Sequence, residues 1–460
     1  MADTGEKDVV VVGAGLAGLT AAYELRDRDV AVIERRDRVG GRTLSGTHLD
    51  YWYNSGAQFV WDPRTLDLCR QLGLDVLDAK GARASLFLRD RLVEGRNPYT
   101  MFLKLPLSLR ERLDLALGIT RLRRLAARMD RLDAAEMDAR TLADLMGRVS
   151  PVTRSVMDLV SQSGTGLSTA EVSGWIGLGY AIHLFGGDVN DTLKQVAGGT
   201  QAITKAISDR LGPDRIRLES EVLLVRTDEM GATVRYRASD GVVSELRAKA
   251  CIMATTADAV LATFEDLRPA KREALERMVP YGRIVTAAWL TRESTTMPWD
   301  DLLVIPVIDD LSFEQLSNNA FFLKQLHKPQ RRPGGCLVTL STADRADQLW
   351  DIDDQAITQM QREELGRIFP SAAPVLAEAE PRIQRWHGFP QFRSGWLRHR
   401  QVLREPVGRT YFCGDYTAQP GTPGAVGSGF HTARAVERAL AEAGAVPVAA
   451  VPGTPQPPRG

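Results

Sequence analysis

"VVVVGAGLAGLTAAYEL", Val9 to Leu25, decides the fold, and "VAVIERRDRVGGRT", Val30 to Thr43, qualifies it. Val9–Val12 is a β-branched run, the composition of a buried parallel strand. Gly13-Ala14-Gly15-Leu16-Ala17-Gly18 then turns the chain, and Leu16, Leu19 and Tyr23 follow at helical spacing with Ala22 between them. Val30–Ile33 reads as a second buried strand, so the chain opens with a βαβ unit. The glycines allow a tight turn and let backbone N–H groups approach a pyrophosphate at the positive end of a helix. Glu34 stands about 20 residues after Gly13, where an acid accepts hydrogen bonds from a ribose diol. A lone glycine-rich turn is weak evidence. Here a strand precedes it, a helix follows it and the acid is in place, which is the context of a dinucleotide site. A second glycine pair, Gly40 and Gly41, comes at once. A nicotinamide dehydrogenase has no use for that pair, so a second close approach of backbone to a charged ligand is expected.

At 460 residues the chain is too long for one simple core, and two domains are expected. Lys and Arg total 58, as do Asp and Glu, so no global field favours nucleic acid or an anionic membrane. No apolar run is long enough to cross a bilayer. The start, "MADTGEKD", is polar and partly acidic, unlike a secretory signal. Cys69, Cys251, Cys336 and Cys413 are scattered, with neither metal-ligand nor redox-motif spacing. No metal site is expected, and a reducing cytoplasm is the simplest location.

From about Leu105 to Leu184 the character becomes helical, beginning "LPLSLRERLDLALGITRLRRLAARMDRLDA", with Ser108 and Glu111 reading as a capping box. Its arginines are expected to form a solvated helix surface. An apolar membrane-docking face, as a desaturase of long lipids would need, is the alternative. Gly198–Leu211 reads as a helix packed on the sheet. Several short strands follow, with turns at Met230-Gly231 and Asp240-Gly241, ending in Cys251–Thr255. Tyr281–Pro306 and Gly334–Ser341 read as strands of a second sheet, and Asp353–Phe369 as a helix. "RTYFCGDYTAQPGTPGAVGSGFHTARAVERALAEAG" is again strand, glycine-rich loop and helix. The tail from residue 445 is expected to be disordered.

"DRVGGR" after Glu34 resembles the second pyrophosphate contact of the flavin amine oxidase superfamily. That superfamily includes monoamine and polyamine oxidases, protoporphyrinogen oxidases and carotenoid-type desaturases. The resemblance implies an extended FAD whose diphosphate is touched by Gly40, Gly41 and Arg42, with Arg35 and Arg36 beside the acid. It extends along the chain in order. "GAQFV" resembles the loop passing the flavin ring, here Gly56, Ala57, Gln58 and Phe59. Val222 matches a backbone contact to adenine. "YFCGDYTA" resembles the late strand whose acid, here Asp415 after Gly414, bonds the ribityl chain. "PGAVGSG" resembles the helix start whose backbone faces the flavin pyrimidine edge, here Gly424, Ala425 and Val426. With Gly13, Ala14, Gly15, Gly18 and Glu34 these are the expected cofactor contacts.

The fold class so implied is α/β: a two-domain FAD-dependent oxidoreductase. Its Rossmann-like, glutathione-reductase-type FAD domain would be discontinuous, comprising 1–80, 196–265 and 381–444. A substrate domain of mixed sheet and helices would comprise 81–195 and 266–380. The implied activity is hydride transfer from a C–N bond of a small amine-like substrate to flavin N5, in a biosynthetic pathway. Noncovalent FAD, O2 as acceptor giving H2O2, and a homodimer accompany it. A C–C desaturase or porphyrinogen-type dehydrogenase is the alternative, and a redox-neutral or non-catalytic flavoprotein the third reading.

The sequence also departs from that family. Amine oxidases of the superfamily carry a Lys on a substrate-domain strand; "PYGRIVTAAWL" offers Val285 or Thr286 there. Gly421 falls where the family's aromatic cage has a Tyr. Cys413 lies within its strand and reads as a small buried hydrophobe, not a flavin attachment point. Trp386 is a candidate for packing on the flavin and His387 for a general base, against an ordinary edge histidine. His183 and His327 are weaker. Trp61 and Asp62 could reach the substrate side or sit on a loop surface. Trp175 and Tyr180 could line a pocket or the core. Tyr281 and Arg283 are expected near the ring plane, where Arg283 would suit a substrate carboxylate or phosphate.

Overall fold

A computed structural model describes residues 5–185, 192–327 and 332–444. The residues from 445 onward, where disorder is expected, lie outside the described part. Strand β1 (Lys7–Val12), helix α1 (Leu16–Glu24) and strand β2 (Val30–Ile33) form the opening βαβ unit. β1 is parallel to β2, with Val9 opposite Val30, and to the end of the strand Val243–Met253, with Val9 opposite Ala250. Thr410–Phe412 and Ile216–Arg217 extend the parallel sheet on its two sides.

Both faces of this sheet are covered, which is why its strands read as unbroken apolar runs. Val9, Val11, Val30 and Val32 pack with Leu19 of α1, Ile203 and Ile207 of the helix Gln201–Leu211, and Val436 of the helix Gly421–Gly444. Val10, Val12, Ala31 and Ile33 point to the other face, against Val234, Leu246 and Phe412. The first half of Val243–Met253 also pairs with Ala232–Arg237, and that strand with Glu221–Thr227, in an antiparallel meander.

A second sheet is antiparallel, in the order Val304–Pro306, Gln315–Asn318, Gly335–Thr342, Gly282–Thr291, Glu380–Phe389. This corrects one expected boundary. Residues from 381 are expected in the last cofactor segment, yet Glu380–Phe389 pairs along Gly282–Thr291 as the edge of the second sheet. The chain returns to the first sheet only at Thr410. Gln315–Asn318 and the hairpins Ser45–His48/Tyr51–Asn54 and Ala84–Leu88/Arg91–Gly95 carry no clear signal in the sequence. They are short and lack a long period of alternation.

The insertion is helical, and its longest member, Leu109–Ala126, begins with the expected capping box: the Glu111 carboxylate accepts the Ser108 N–H at 2.8 Å. Leu115 and Leu122 face inward, whereas Leu109, Leu113 and Leu117 are 74%, 57% and 69% exposed in one row that Arg121, Arg124 and Arg128 continue. The outer surface is therefore mixed, apolar toward one end and basic toward the other. No helix among the described residues is long and apolar enough to cross a membrane.

Lys271, on the helix Pro269–Glu276, is buried and donates to the carbonyls of Leu403 (3.2 Å) and Glu405 (2.5 Å). It also lies 3.7 Å from the Phe412 ring centroid. Burial dominates and pushes its pKa down to about 7. Between that value and the pKa of about 10.4 of a free Lys, the unfolded chain binds the extra proton. Stability attributable to this site should therefore rise with pH through that window. Lys271→Met is expected to flatten the wild-type rise in Tm between about pH 7 and 10. Parallel melting curves of the two proteins across that range would refute the assignment.

Candidate functional site

Two glycine turns face each other at the carboxyl end of β1. Gly13 (φ 103°) follows β1, and Gly40 (φ 112°) and Gly41 (φ 55°) lie in the loop after β2. All three take positive φ, which glycine adopts without the Cβ clash. The Gly40 N–H donates to the Ala14 carbonyl at 2.8 Å, and Gly41 approaches to within 3.4 Å of the Gly15 Cα, measured from where a Cβ would stand. A Cβ at Gly15 would meet nothing within 4 Å, so bare backbone borders open space. Gly18 is needed for packing instead. A Cβ there would overlap the Gly13 carbonyl, and its absence lets α1 close on the turn.

Glu34 is buried at the end of β2. Its carboxylate accepts N–H bonds from Ala14 and Arg36, both at 2.9 Å, and so ties the two turns together. The Ser220 N–H donates to the Glu34 carbonyl at 2.8 Å, which places Val222, two residues on and beside a bulge in its strand, next to the acid. Arg35 and Arg36 are exposed, and the Arg36 guanidinium stands 5.8 Å over the Trp386 ring.

Arg42 reaches across to the late loop. Its guanidinium makes a two-pronged pair with Asp415, both bonds 2.8 Å, and also donates to the Gly388 carbonyl. Burial opposes the Arg42 charge, but Asp415 more than offsets it and the guanidinium pKa is raised. The Asp415 side chain is 3% exposed and also accepts the Tyr416 N–H at 3.0 Å. Gly414 takes φ 147°, and its N–H donates to the Ser428 hydroxyl. Gly424, Ala425 and Val426 lie in the first turns of Gly421–Gly444, and a Cβ at Gly424 would overlap the Gln419 carbonyl. Burial pushes the Cys413 thiol up to about 12, consistent with an inert hydrophobe.

The loop Gly56–Phe59 is fastened to the same centre. The Ala57 N–H donates to the Arg42 carbonyl at 3.0 Å, and a Cβ at Gly56 would overlap that carbonyl. Gln58 is folded back: its amide donates to the Asn54 and Gly56 carbonyls and accepts from Asn319. Phe59 points away into a small core with Phe321 and Phe322. Sequence reasoning missed the support beneath this loop. Thr200 donates to the Ala57 carbonyl at 2.7 Å, and the Asn54 side chain accepts from Thr200 and Ser45. The adjacent pair Gly198-Gly199, both at positive φ, was the available signal.

The structure decides between Val285 and Thr286. Val285 packs outward with Leu349 and Ile357, whereas the Thr286 hydroxyl donates to the Ser55 carbonyl at 2.9 Å. Trp386 meets the same carbonyl through its indole N–H at 2.8 Å and is buried. His387 is a correction. Alternation along Glu380–Phe389 turns it to the exposed face, where its ring lies 4.8 Å from Trp350. Arg283 shares that outer face, 4.9 Å over Trp350 and 3.4 Å from Asp347, so it too lies away from the expected ring plane. His387→Ala is expected to leave turnover within about twofold of wild type, as for an exposed residue away from the chemistry. A loss of about a hundredfold or more, the scale of a missing general base, would reinstate it.

Tyr281 is buried and accepts the Ala257 N–H at 3.1 Å, with Arg42 5.7 Å from its ring. Tyr180 meets Trp61 edge-on at 6.3 Å, and its hydroxyl lies 3.5 Å from where a Cβ of Gly421 would stand. Burial, then the Asp415 charge, raises both phenols, so they remain protonated donors at neutral pH. Asp62 instead caps the helix Pro63–Gln71, accepting the Thr65 N–H. Trp175 is half-buried against the first core, the one on the Val10 face of the parallel sheet. His327 closes the helix Phe321–Leu326, and the side chain of His183 lies outside the described residues.

The family model for flavin containing amine oxidoreductase matches residues 16–437. Flavin-containing amine oxidase A of Canis lupus familiaris is 24% identical over 94% of this chain and 85% of its own. The putrescine oxidase of Kocuria rosea is 46% identical over a shorter stretch, 18% of each chain. Among solved structures, cyclohexylamine oxidase from Brevibacterium oxydans superposes with a TM-score of 0.78 at 21% identity, covering 95% of this chain and 100% of that one.

Proposed function

The chain belongs to the flavin-containing amine oxidoreductases, and on that premise we propose that it oxidises a C–N bond of a small amine. The observation that carries the reading is the pair of opposed glycine turns, open toward each other's backbone and backed by Glu34 and the Arg42–Asp415 pair. These residues fit FAD. Gly13, Ala14, Gly15, Gly40, Gly41 and Arg42 would hold the diphosphate, with Gly18 letting α1 close behind the turn and Arg35 and Arg36 at the entrance. Glu34 would take the ribose and Val222 the adenine side. Gly56, Ala57, Gln58 and Phe59 would offer backbone beside the ring, Gly414 and Asp415 would meet the ribityl chain, and Gly424, Ala425 and Val426 the pyrimidine edge.

When bound, FAD would supply the two-electron acceptor for oxidation of the C–N bond, with O2 as the final acceptor. The chain supplies position and field. The N-terminal turns of Gly421–Gly444 would place a positive dipole end toward negative charge. Thr286 and Trp386 hold the Ser55 carbonyl and with it the loop beside the ring. Tyr180, Trp61 and Gly421 would border the substrate, excluding water from the reacting carbon. A neutral amine needs no general base for hydride loss, which accords with Thr286 at a place where the family resemblance implies a Lys.

The test is an absorbance spectrum before and after acid denaturation, followed by a peroxide-coupled screen of amines and porphyrinogens. Flavin bands fully released into the supernatant, with peroxide formed from amines, are expected. A porphyrinogen oxidised while every amine is inert would replace C–N oxidation with C–C dehydrogenation. A protein that binds no flavin on reconstitution would sink both.

A further inference from the structure

Four helices converge on a pocket of about 680 Å³ outside the site described above, lined by Trp175, Leu397, Arg400, Gln401, Arg404 and His431, among others. Arg400 and Arg404 lie one turn apart on the helix Leu397–Arg404, and His431 is on Gly421–Gly444. Arg64, on Pro63–Gln71, lies against Gly427, one turn before His431. These cations act on one another. Burial first, then Arg400 and Arg64, lowers the Arg404 pKa. Burial, then Arg404, Arg438 and Arg64, lowers that of His431. Among the described residues, none of Arg64, Arg400, Arg404 and His431 has a carboxylate within 4.0 Å. Arg404 spends one N–H on the Thr417 carbonyl, at 2.7 Å, and Glu405 is the only acid in the lining.

Gathering cations with a single acid in the lining and no carboxylate in contact with them costs stability unless an anion relieves it. Arginine is suited to that role because its planar fork matches carboxylate and phosphate oxygens. The opposite wall, Trp175 and Leu397, is apolar and also packs against the first core. We propose that this pocket binds the acidic group of a small amphiphilic molecule, a carboxylate or phosphate, through Arg400, Arg404 and His431, with Arg64 adding its charge from the margin and the apolar body against Trp175 and Leu397. The pocket shares two helices with the proposed substrate border. His431 is seven residues beyond Gly424 on one helix, about 10 Å at 1.5 Å per residue. Trp175 is five residues before Tyr180 on another, about 7.5 Å. The acidic group is therefore carried either by the amine substrate or by a separate anion bound beside it. Anion binding itself does not depend on the oxidase reading; its use in substrate selection does.

The test is calorimetric titration of the FAD-loaded protein with inorganic phosphate and with 3-phenylpropionate at constant ionic strength. FAD keeps the diphosphate cradle filled. Saturable binding of both, in competition with each other, is expected. The double variant Arg64→Gln/Arg400→Gln should weaken it at least tenfold, about 1.4 kcal/mol, with the flavin spectrum unchanged and the anion-free Tm no lower than wild type. Non-saturating heats with the wild-type protein, or equal affinity in the double variant, would overturn the proposal. Two kinetic arms separate the sources. A rise in KM confined to a carboxylate-bearing amine, relative to its neutral analogue, assigns the anion to the substrate. A phosphate-dependent change in kcat/KM for the neutral amine, abolished in the double variant, assigns it to a separate effector. If no amine is oxidised, the functional reading fails while the calorimetric result still decides the site.

Discussion

Arg42→Met is expected to yield a protein that keeps no flavin through gel filtration and unfolds about 3 kcal/mol more easily than wild type. The Asp415 side chain is 3% exposed and receives both forks of the Arg42 guanidinium. Without Arg42 its remaining bond among those described is from the Tyr416 N–H. Removing one partner of a buried pair strands the other charge in a poorly solvated place, and that accounts for most of the loss. The lower end of the usual range applies because the Arg42 side chain is itself 36% exposed. Arg42→Met/Asp415→Leu should recover much of the stability, since the stranded charge is gone, and still retain no flavin. Stability is read by chemical denaturation and cofactor retention by the ratio of flavin to protein absorbance. A single variant with wild-type stability would show that the pair is not holding the late loop. A double variant with full flavin would remove Arg42 and Asp415 from the cofactor site.

Gly56→Ala should rank with Gly18→Ala and Gly424→Ala among the most damaging single methyls added near the site. The new Cβ would overlap the Arg42 carbonyl oxygen, and that oxygen is already held by the Ala57 N–H at 3.0 Å. Gly56 cannot back away, because its own N–H donates to the Leu44 carbonyl at 3.2 Å. Overpacking against fixed backbone should cost about 3 kcal/mol or more and open the joint between the second glycine turn and the ring-side loop. Little soluble, flavin-loaded protein is expected. Gly366 is the matched control. It lies in the helix Asp354–Ile368, nothing stands within 4 Å of its would-be Cβ, and Gly366→Ala should stabilise by up to about 1 kcal/mol. Equal Tm values for the two variants would mean that local contact does not decide the outcome.

The opening βαβ unit was legible because its signals are local. A β-branched run, three spaced glycines and an acid each act within about 25 residues, and strand alternation then sends Val9 and Val10 to opposite cores. The second glycine pair was legible for the same reason: positive φ at Gly40 and Gly41 is a property of those residues and their neighbours. The end of the second sheet was not. Glu380–Phe389 joins it by pairing with a strand about 100 residues earlier, and no local pattern encodes which sheet an edge strand will join. His387 and Trp386 show the same limit within one strand. Both are ring residues in adjacent positions, and only the pleat together with the strand's place at the sheet edge buries one and exposes the other.

The sequence by itself determined that this chain makes two glycine turns flanking one acid, since glycine spacing and the following acid act within a single supersecondary unit. Only the tertiary structure decided what stands around it: that Arg42 meets Asp415 across more than 370 positions, that Thr286 rather than Val285 meets the Ser55 carbonyl, and that Arg400, Arg404 and His431 line one pocket. Those arrangements join residues from distant segments, and long-range packing sets them where local propensity has no purchase.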